Sequence, residues 1–103
     1  MARYCFLYQC RPGAEEEYVR RHKAVWPEVL DALRAAGLSN FTTFMKGNQL
    51  YSFIEADDFK TAWEKFQSNP ATKRWEAYMS EVLATDVTKG DMEVLDRVVF
   101  RMD

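Results

Sequence analysis

The sequence has one histidine, two cysteines and no Cys-x-x-Cys or His-x-x-x-His spacing. No zinc or iron ligand set can be assembled from it, so a metal-free protein is expected. Basic residues never run longer than a pair such as Arg20-Arg21, and the formal net charge is -2. Nucleic acid and anionic membranes, which call for a concentrated basic face, are therefore not expected partners. No apolar stretch nears the roughly 20 residues that cross a bilayer, and the first residues lack the basic-then-apolar layout of a signal peptide. The expected location is the cytoplasm. Also missing are Gly-x-Ser-x-Gly, a phosphate-binding glycine loop, a dinucleotide fingerprint, internal repeats and low-complexity segments.

What remains is a chain of 103 residues. That suffices for a single domain, residues 1–103, because a second core would need roughly another 100 residues. The composition is 48% apolar, 29% charged and 15% aromatic, the profile of a folded soluble domain with more rings than so small a core usually needs. The surplus can line a ligand site or a subunit interface. Cys5 and Cys10 fall in one predicted strand with opposite parity, so they leave opposite faces of a sheet and cannot bridge. Unpaired cysteines fit a reducing compartment.

Alternation over residues 3–11 places Tyr4, Phe6, Tyr8 and Cys10 on one face and Cys5 and Leu7 on the other. Apolar groups on both faces mark an interior strand, which Pro12-Gly13 ends. From Ala14 to Ala36, Val19, Val25, Trp26, Val29, Leu30 and Leu33 recur at helical spacing, with Glu15, Glu16 and Glu17 at the favourable N-terminal end. Pro27 lacks an N–H and should divide or kink this helix near Val25-Trp26, and Gly37 stops it. Two strands, residues 40–46 and 50–56, flank the turn Gly47-Asn48-Gln49, with Phe41, Thr43 and Met45 on one face of the first. Asp57 or Asp58 can cap a helix to about Ser68 whose stripe is Phe59, Ala62, Trp63 and Phe66. Asn69-Pro70 breaks it, a second helical stretch covers residues 71–83, and a last strand covers residues 92–102.

The order β-α-β-β-α-β, with the second helix split, is that of an α+β ferredoxin-like sandwich. One sheet face in such a fold takes the helices. Apolar residues on the other face call for a second subunit or an enclosed ligand, and a homodimer is the simpler expectation.

Helical register puts Tyr18 and His22 on one face, with Trp26 a further turn along. A lone histidine in this setting is either a hydrogen-bonded core or rim residue or a proton shuttle, since its ordinary pKa of about 6.5 lies near working pH. Trp63, in a stripe with Phe59 and Phe66, reads as core. Trp75, between Arg74 and Glu76, is either core or the wall of a cleft, where an indole can cover the C–H face of a sugar. The run Glu15 to Glu17 reads as a solvated first turn.

The segment Glu17-Tyr18-Val19-Arg20-Arg21-His22-Lys23-Ala24-Val25-Trp26-Pro27-Glu28 resembles the Y-x-R-R-H-x-x-x-W-P-E signature of the L-rhamnose mutarotase family. Arg74-Trp75 followed by Tyr78-Met79 resembles a second block, and the resemblance covers nearly the whole chain. It implies a dimer of ferredoxin-like subunits, of the dimeric α+β barrel type, that interconverts the α and β anomers of L-rhamnose without metal or cofactor. By resemblance, His22 is the catalytic proton donor and Tyr18 a substrate-contacting hydroxyl. Phe41, Trp75 and Glu76 stand at further sugar-contact positions. Phe41 replaces a typical tyrosine and Glu76 a typical second tryptophan, which bears on the choice between L-rhamnose and L-fucose.

That chemistry suits the residues. Ring opening needs a proton delivered to the ring oxygen and one taken from the anomeric hydroxyl, and a group with a pKa near 7 speeds such transfers by roughly 10² to 10⁴-fold. His22 as imidazolium would protonate the ring oxygen, with Tyr18 or a water at the anomeric hydroxyl, Trp75 as stacking wall and Glu76 the one visible complementary base. Two other classes share the fold: cofactor-free monooxygenases acting on aromatic substrates, and non-catalytic modules that bind a ligand on the open sheet face.

Overall fold

The computed structural model describes residues 2–102. The chain runs β1 (Ala2–Gln9), α1 (Glu15–His22), α2 (Pro27–Ala35), β2 (Ser39–Lys46), β3 (Gln49–Ala56), α3 (Phe59–Ser68), α4 (Pro70–Met79), a 3-10 turn at Val87–Lys89 and β4 (Glu93–Leu95). The strands form one antiparallel sheet in the order β2-β3-β1-β4. This is the ferredoxin-like α+β sandwich, with each of its two helices divided in two.

Each division has a local cause. Trp26 adopts an extended conformation before Pro27, as a residue preceding proline prefers. Pro27 then opens α2 at a position whose N–H has no helical partner to lose. Asn69 repeats the device: it is extended, its side chain accepts from the Ala71 N–H at 2.9 Å, and Pro70 begins α4. Asp58 caps α3 through the Thr61 N–H. Gly37, at φ +85°, ends α2, and the Leu38 N–H returns to the Leu33 carbonyl at 3.1 Å.

The inner sheet face presents Phe6 and Tyr8 from β1 and Leu50, Ile54 and Ala56 from β3, all buried. Val29 and Ala32 of α2, Phe59, Ala62 and Phe66 of α3, and Trp75 and Met79 of α4 close over them. The amphipathic stripes of the sequence therefore face the sheet as their spacing requires. Two residues depart: Val19 is 39% exposed, because α1 turns Tyr18, only 4% exposed, toward the sheet instead, and Leu30 is 37% exposed where it borders a cavity described below.

Three boundaries differ from expectation. β1 stops at Gln9 rather than Arg11, and α4 stops at Met79 rather than Leu83. Both differences have one origin, because the chain after α4 leaves the helix to bind the end of β1. The Arg11 N–H donates to the Val82 carbonyl at 2.7 Å, the Ala84 N–H to the Gln9 carbonyl at 2.9 Å, and Cys10 bridges Leu83. The last strand spans only Glu93–Leu95 instead of residues 92–102. Its register pairs Leu7 with Glu93 and Cys5 with Leu95. Continued, it would set Arg97 against Arg3, an unfavourable like-charge pair, and Val98 against Ala2, where β1 begins. The segment beyond has no ladder partner on β1, and Val99, Phe100 and Met102 are 92%, 82% and 83% exposed.

Ile54 is fully buried at the centre of the sheet. Ile54→Ala should cost about 2–5 kcal/mol, read from urea unfolding; a loss below about 1 kcal/mol would contradict this core.

Candidate active site

Between the inner sheet face and the helices lies a cavity of about 290 Å³. His22 and Tyr18 from α1, Phe41 and Thr43 from β2, and Trp75 and Glu76 from α4 all line it. The five residues singled out in the sequence thus meet in one place, brought there by three separate elements.

Tyr18 connects this cavity to the sheet. Its hydroxyl lies 3.0 Å from the Tyr8 hydroxyl, which lies 3.0 Å from Ser52 Oγ, which lies 2.8 Å from Thr43 Oγ1. Three hydrogen bonds among four hydroxyls use three of the four protons. One O–H is left over, and a concerted reorientation of the chain presents it at Tyr18 or at Thr43, both of which border the cavity. Burial and the neighbouring Tyr8 hydroxyl push the Tyr18 phenol far above its ordinary pKa, so it remains a neutral donor.

His22 stacks on the Tyr18 ring at 4.3 Å and meets the edge of Trp75 at 5.6 Å. Its Nδ1 lies 3.2 Å from the Tyr18 carbonyl oxygen. A carbonyl only accepts, so Nδ1 carries a proton and, in the neutral ring, Nε2 keeps its lone pair. The side chain stays open to solvent at the cavity mouth while these rings crowd its flanks. The resulting desolvation holds its pKa below the ordinary value, outweighing the hydrogen bond from Nδ1. That direction favours the neutral imidazole at neutral pH.

α1 is anchored against α4 on the far side of this pair. Arg21 donates to the Tyr78 carbonyl at 2.6 Å, pairs with Glu17 at 2.7 Å and with Glu81 at 2.9 Å, and lays its guanidinium 4.1 Å over the Tyr78 ring. Trp26, freed from α1 by the break before Pro27, stacks on Tyr78 at 5.3 Å and meets the edge of Trp75 at 5.0 Å. Trp75 is 8% exposed and serves as both core and cavity wall. Phe41 packs edge-on to Phe6 at 5.8 Å and to Trp63 at 6.4 Å. Trp63, read as core, is only partly buried and also lines the cavity, and its buried indole N–H has no acceptor.

Glu76 is half-buried, and Gln67 Nε2 donates to its Oε2 at 2.8 Å. The same amide nitrogen donates to the Val87 carbonyl at 3.1 Å, so Gln67 fastens the carboxyl to the 3-10 turn that helps close the cavity. Tyr8, Thr43, Ser52, Trp63 and Gln67 are the site residues that the sequence did not mark. The parity of Tyr8 and Thr43 on their strands was the available signal for the hydroxyl chain. Among the described residues, no three His, Cys, Asp or Glu side chains are grouped to hold a metal ion.

The model of the L-rhamnose mutarotase family matches residues 3–102. The chain belongs to that family. An L-rhamnose mutarotase of Lachnoclostridium phytofermentans is 32% identical over 105 residues, covering all of both chains. The solved structure of an L-rhamnose mutarotase from Formosa agariphila superposes with a TM-score of 0.78 at 24% identity over both full chains. An antibiotic biosynthesis monooxygenase superposes with a TM-score of 0.64 at 11% identity, covering 98% of this chain and 100% of its own. That second likeness is one of fold alone.

As the one histidine of the chain, His22 can be followed without assignment ambiguity. In ¹H–¹⁵N spectra of the free protein it should hold its proton on Nδ1 and titrate below about 6.5. The folded pKa lies below the unfolded one, so acidification through that range should reduce stability. A midpoint above about 6.5, or a neutral ring protonated on Nε2, would contradict the geometry.

Proposed function

We propose that this member of the family is an aldose mutarotase that interconverts the α and β anomers of a 6-deoxy-L-hexose, L-rhamnose first. The observation that carries the reading is the His22 ring, fixed through Nδ1 to the Tyr18 carbonyl at the mouth of an aromatic-walled cavity. This arrangement leaves Nε2 as the proton-transfer atom. A neutral Nε2 takes the anomeric proton while a second group protonates the departing ring oxygen, and the imidazolium so formed returns its proton after rotation about C1–C2. The imidazole can therefore serve the anomeric oxygen in both directions without nucleophilic chemistry.

The remaining roles follow from what each side chain offers. Trp75 and Trp63 give apolar surface for the sugar's C–H face. Tyr18 offers the spare proton of the hydroxyl chain. Phe41 contributes an apolar contact where a hydroxyl is typical, and Glu76 a carboxyl group where an indole is typical. A carboxylate that grips two adjacent hydroxyls discriminates between epimers, so L-fucose is the natural competitor.

The active unit in this reading is a cytoplasmic homodimer. Free Cys5 and Cys10 support the reducing compartment, and among the described residues no helix is long and apolar enough to cross a membrane. Phe44 at 65% exposure and Leu95 at 46%, with the exposed tail from Val98 to Met102, supply the apolar surface that a second copy would cover.

Saturation-transfer NMR on L-rhamnose and L-fucose tests the reaction. Faster anomer exchange with one sugar, reduced by roughly 10² to 10⁴-fold in His22→Ala, is expected. No acceleration of either sugar would refute the reading and leave oxygen uptake on aromatic substrates to be tried. Light scattering across a dilution series should give twice the chain mass, shifting toward monomer in Phe100→Asp; a monomer at all concentrations would refute the dimer.

A further inference from the structure

Mutarotation moves two protons at once, and one imidazole accounts for only one of them. Among the described residues lining the cavity, His22 and Glu76 are the groups that can exchange a proton near neutral pH. They come from different helices, α1 and α4. Glu76 is not a free surface carboxylate. It is half-buried, and Gln67 grips its Oε2 only. We propose that Glu76 is the second proton-transfer residue of this site, acting on the ring oxygen while His22 Nε2 acts on the anomeric hydroxyl. The proposal rests on the mutarotase reading and assigns the partner that reading leaves open.

The O1–H proton passes to His22 Nε2, the O1 electron pair forms C1=O, and the C1–O5 bond breaks with its pair moving to O5. O5 takes the proton of the Glu76 carboxyl. On reclosure O5 attacks the other face of C1, its proton returns to the Glu76 carboxylate, and the carbonyl oxygen recovers the proton from His22. No proton is gained or lost over the cycle, and the pair carries one proton throughout.

The surroundings support this sharing. Desolvation, reinforced by the charge of Asp86, raises the Glu76 pKa against the opposing effects of Gln67 and Lys73. Desolvation lowers that of His22. Both shifts act in the same sense, favouring neutral His22 with protonated Glu76, the pair of states from which the step begins. The charged groups around Glu76 are Lys73 on its own helix, and Arg11 and Asp86, which border the polar hollow on its other side. Around His22, Glu17 and Arg21 are engaged with each other, and α4 presents the uncharged Trp75.

The test is the pH dependence of anomer exchange in the full-length protein with L-rhamnose, from pH 4 to 9. The wild type should give a bell. Glu76→Gln should lose about 10²-fold or more in kcat, beyond any change in KM from its contact with the sugar hydroxyls, and should lose the alkaline limb while keeping the acid limb of His22. Glu76→Asp should retain a weakened bell. A Glu76→Gln variant with wild-type kcat and an intact alkaline limb, or one altered only in KM, would overturn the proposal. A wild-type profile flat to pH 9 would overturn it without any variant. A wild type that accelerates neither L-rhamnose nor L-fucose would instead overturn the mutarotase reading itself.

Discussion

The contact on which the site depends is the hydrogen bond between the hydroxyls of Tyr18 and Tyr8. Through it a short helix with little apolar surface of its own is fixed to the centre of the sheet. α1 has only eight residues, below the length at which an isolated helix is stable in water. Its position comes from Tyr18 on one side and from Arg21 bound to α4 on the other. Tyr18 also sets the imidazole, with its ring under that of His22 and its carbonyl on Nδ1. Backbone, ring and hydroxyl of one residue therefore determine where the imidazole sits, which tautomer it holds and which nitrogen meets the ligand. The hydroxyl chain costs little, because every buried oxygen in it has a partner within 3.0 Å.

Pro27 has the complementary role. An unbroken helix over residues 15–35 would carry Trp26 along the stripe of Tyr18 and His22. With the break, Trp26 turns to Tyr78 and Trp75 instead. The aromatic surplus of the composition is consumed here and in the cluster of Phe6, Phe59, Trp63 and Phe66 on the other side of the cavity. Aromatic walls make the cavity apolar, and that apolarity draws the pKa values of imidazole and carboxyl toward each other. Packing and chemistry thus share a cause.

Much of this was legible in the chain. Strand alternation, the two Asx and proline breaks and the glycine stop are local signals, and the fold follows them closely. The signature around His22 brought in the family. What failed was non-local. The end of α4 was set by β1, whose backbone takes up Val82 and Ala84, and helical periodicity carries no record of that competition. The end of β4 was set by what faces it on β1, since continuing the ladder would oppose Arg97 and Arg3. Trp63 looked like core because its stripe is apolar, yet a stripe does not reveal that a cavity lies against one of its members. Gln67 and Ser52 acquire meaning only from residues nine positions away in sequence, Glu76 and Thr43, and no spacing rule joins them. Exposure of Val19 is the same lesson: a buried hydrogen-bonding phenol outranked an aliphatic neighbour for the inward position.

The central claim is that this one cavity receives a sugar with its anomeric centre at His22. A crystal structure of the protein soaked in L-rhamnose tests it most directly. The sugar should lie in the cavity, its C–H face against Trp75 or Trp63, with the anomeric oxygen within about 3.2 Å of His22 Nε2. Sugar bound elsewhere, or bound here with His22 Nε2 turned to protein, would contradict it.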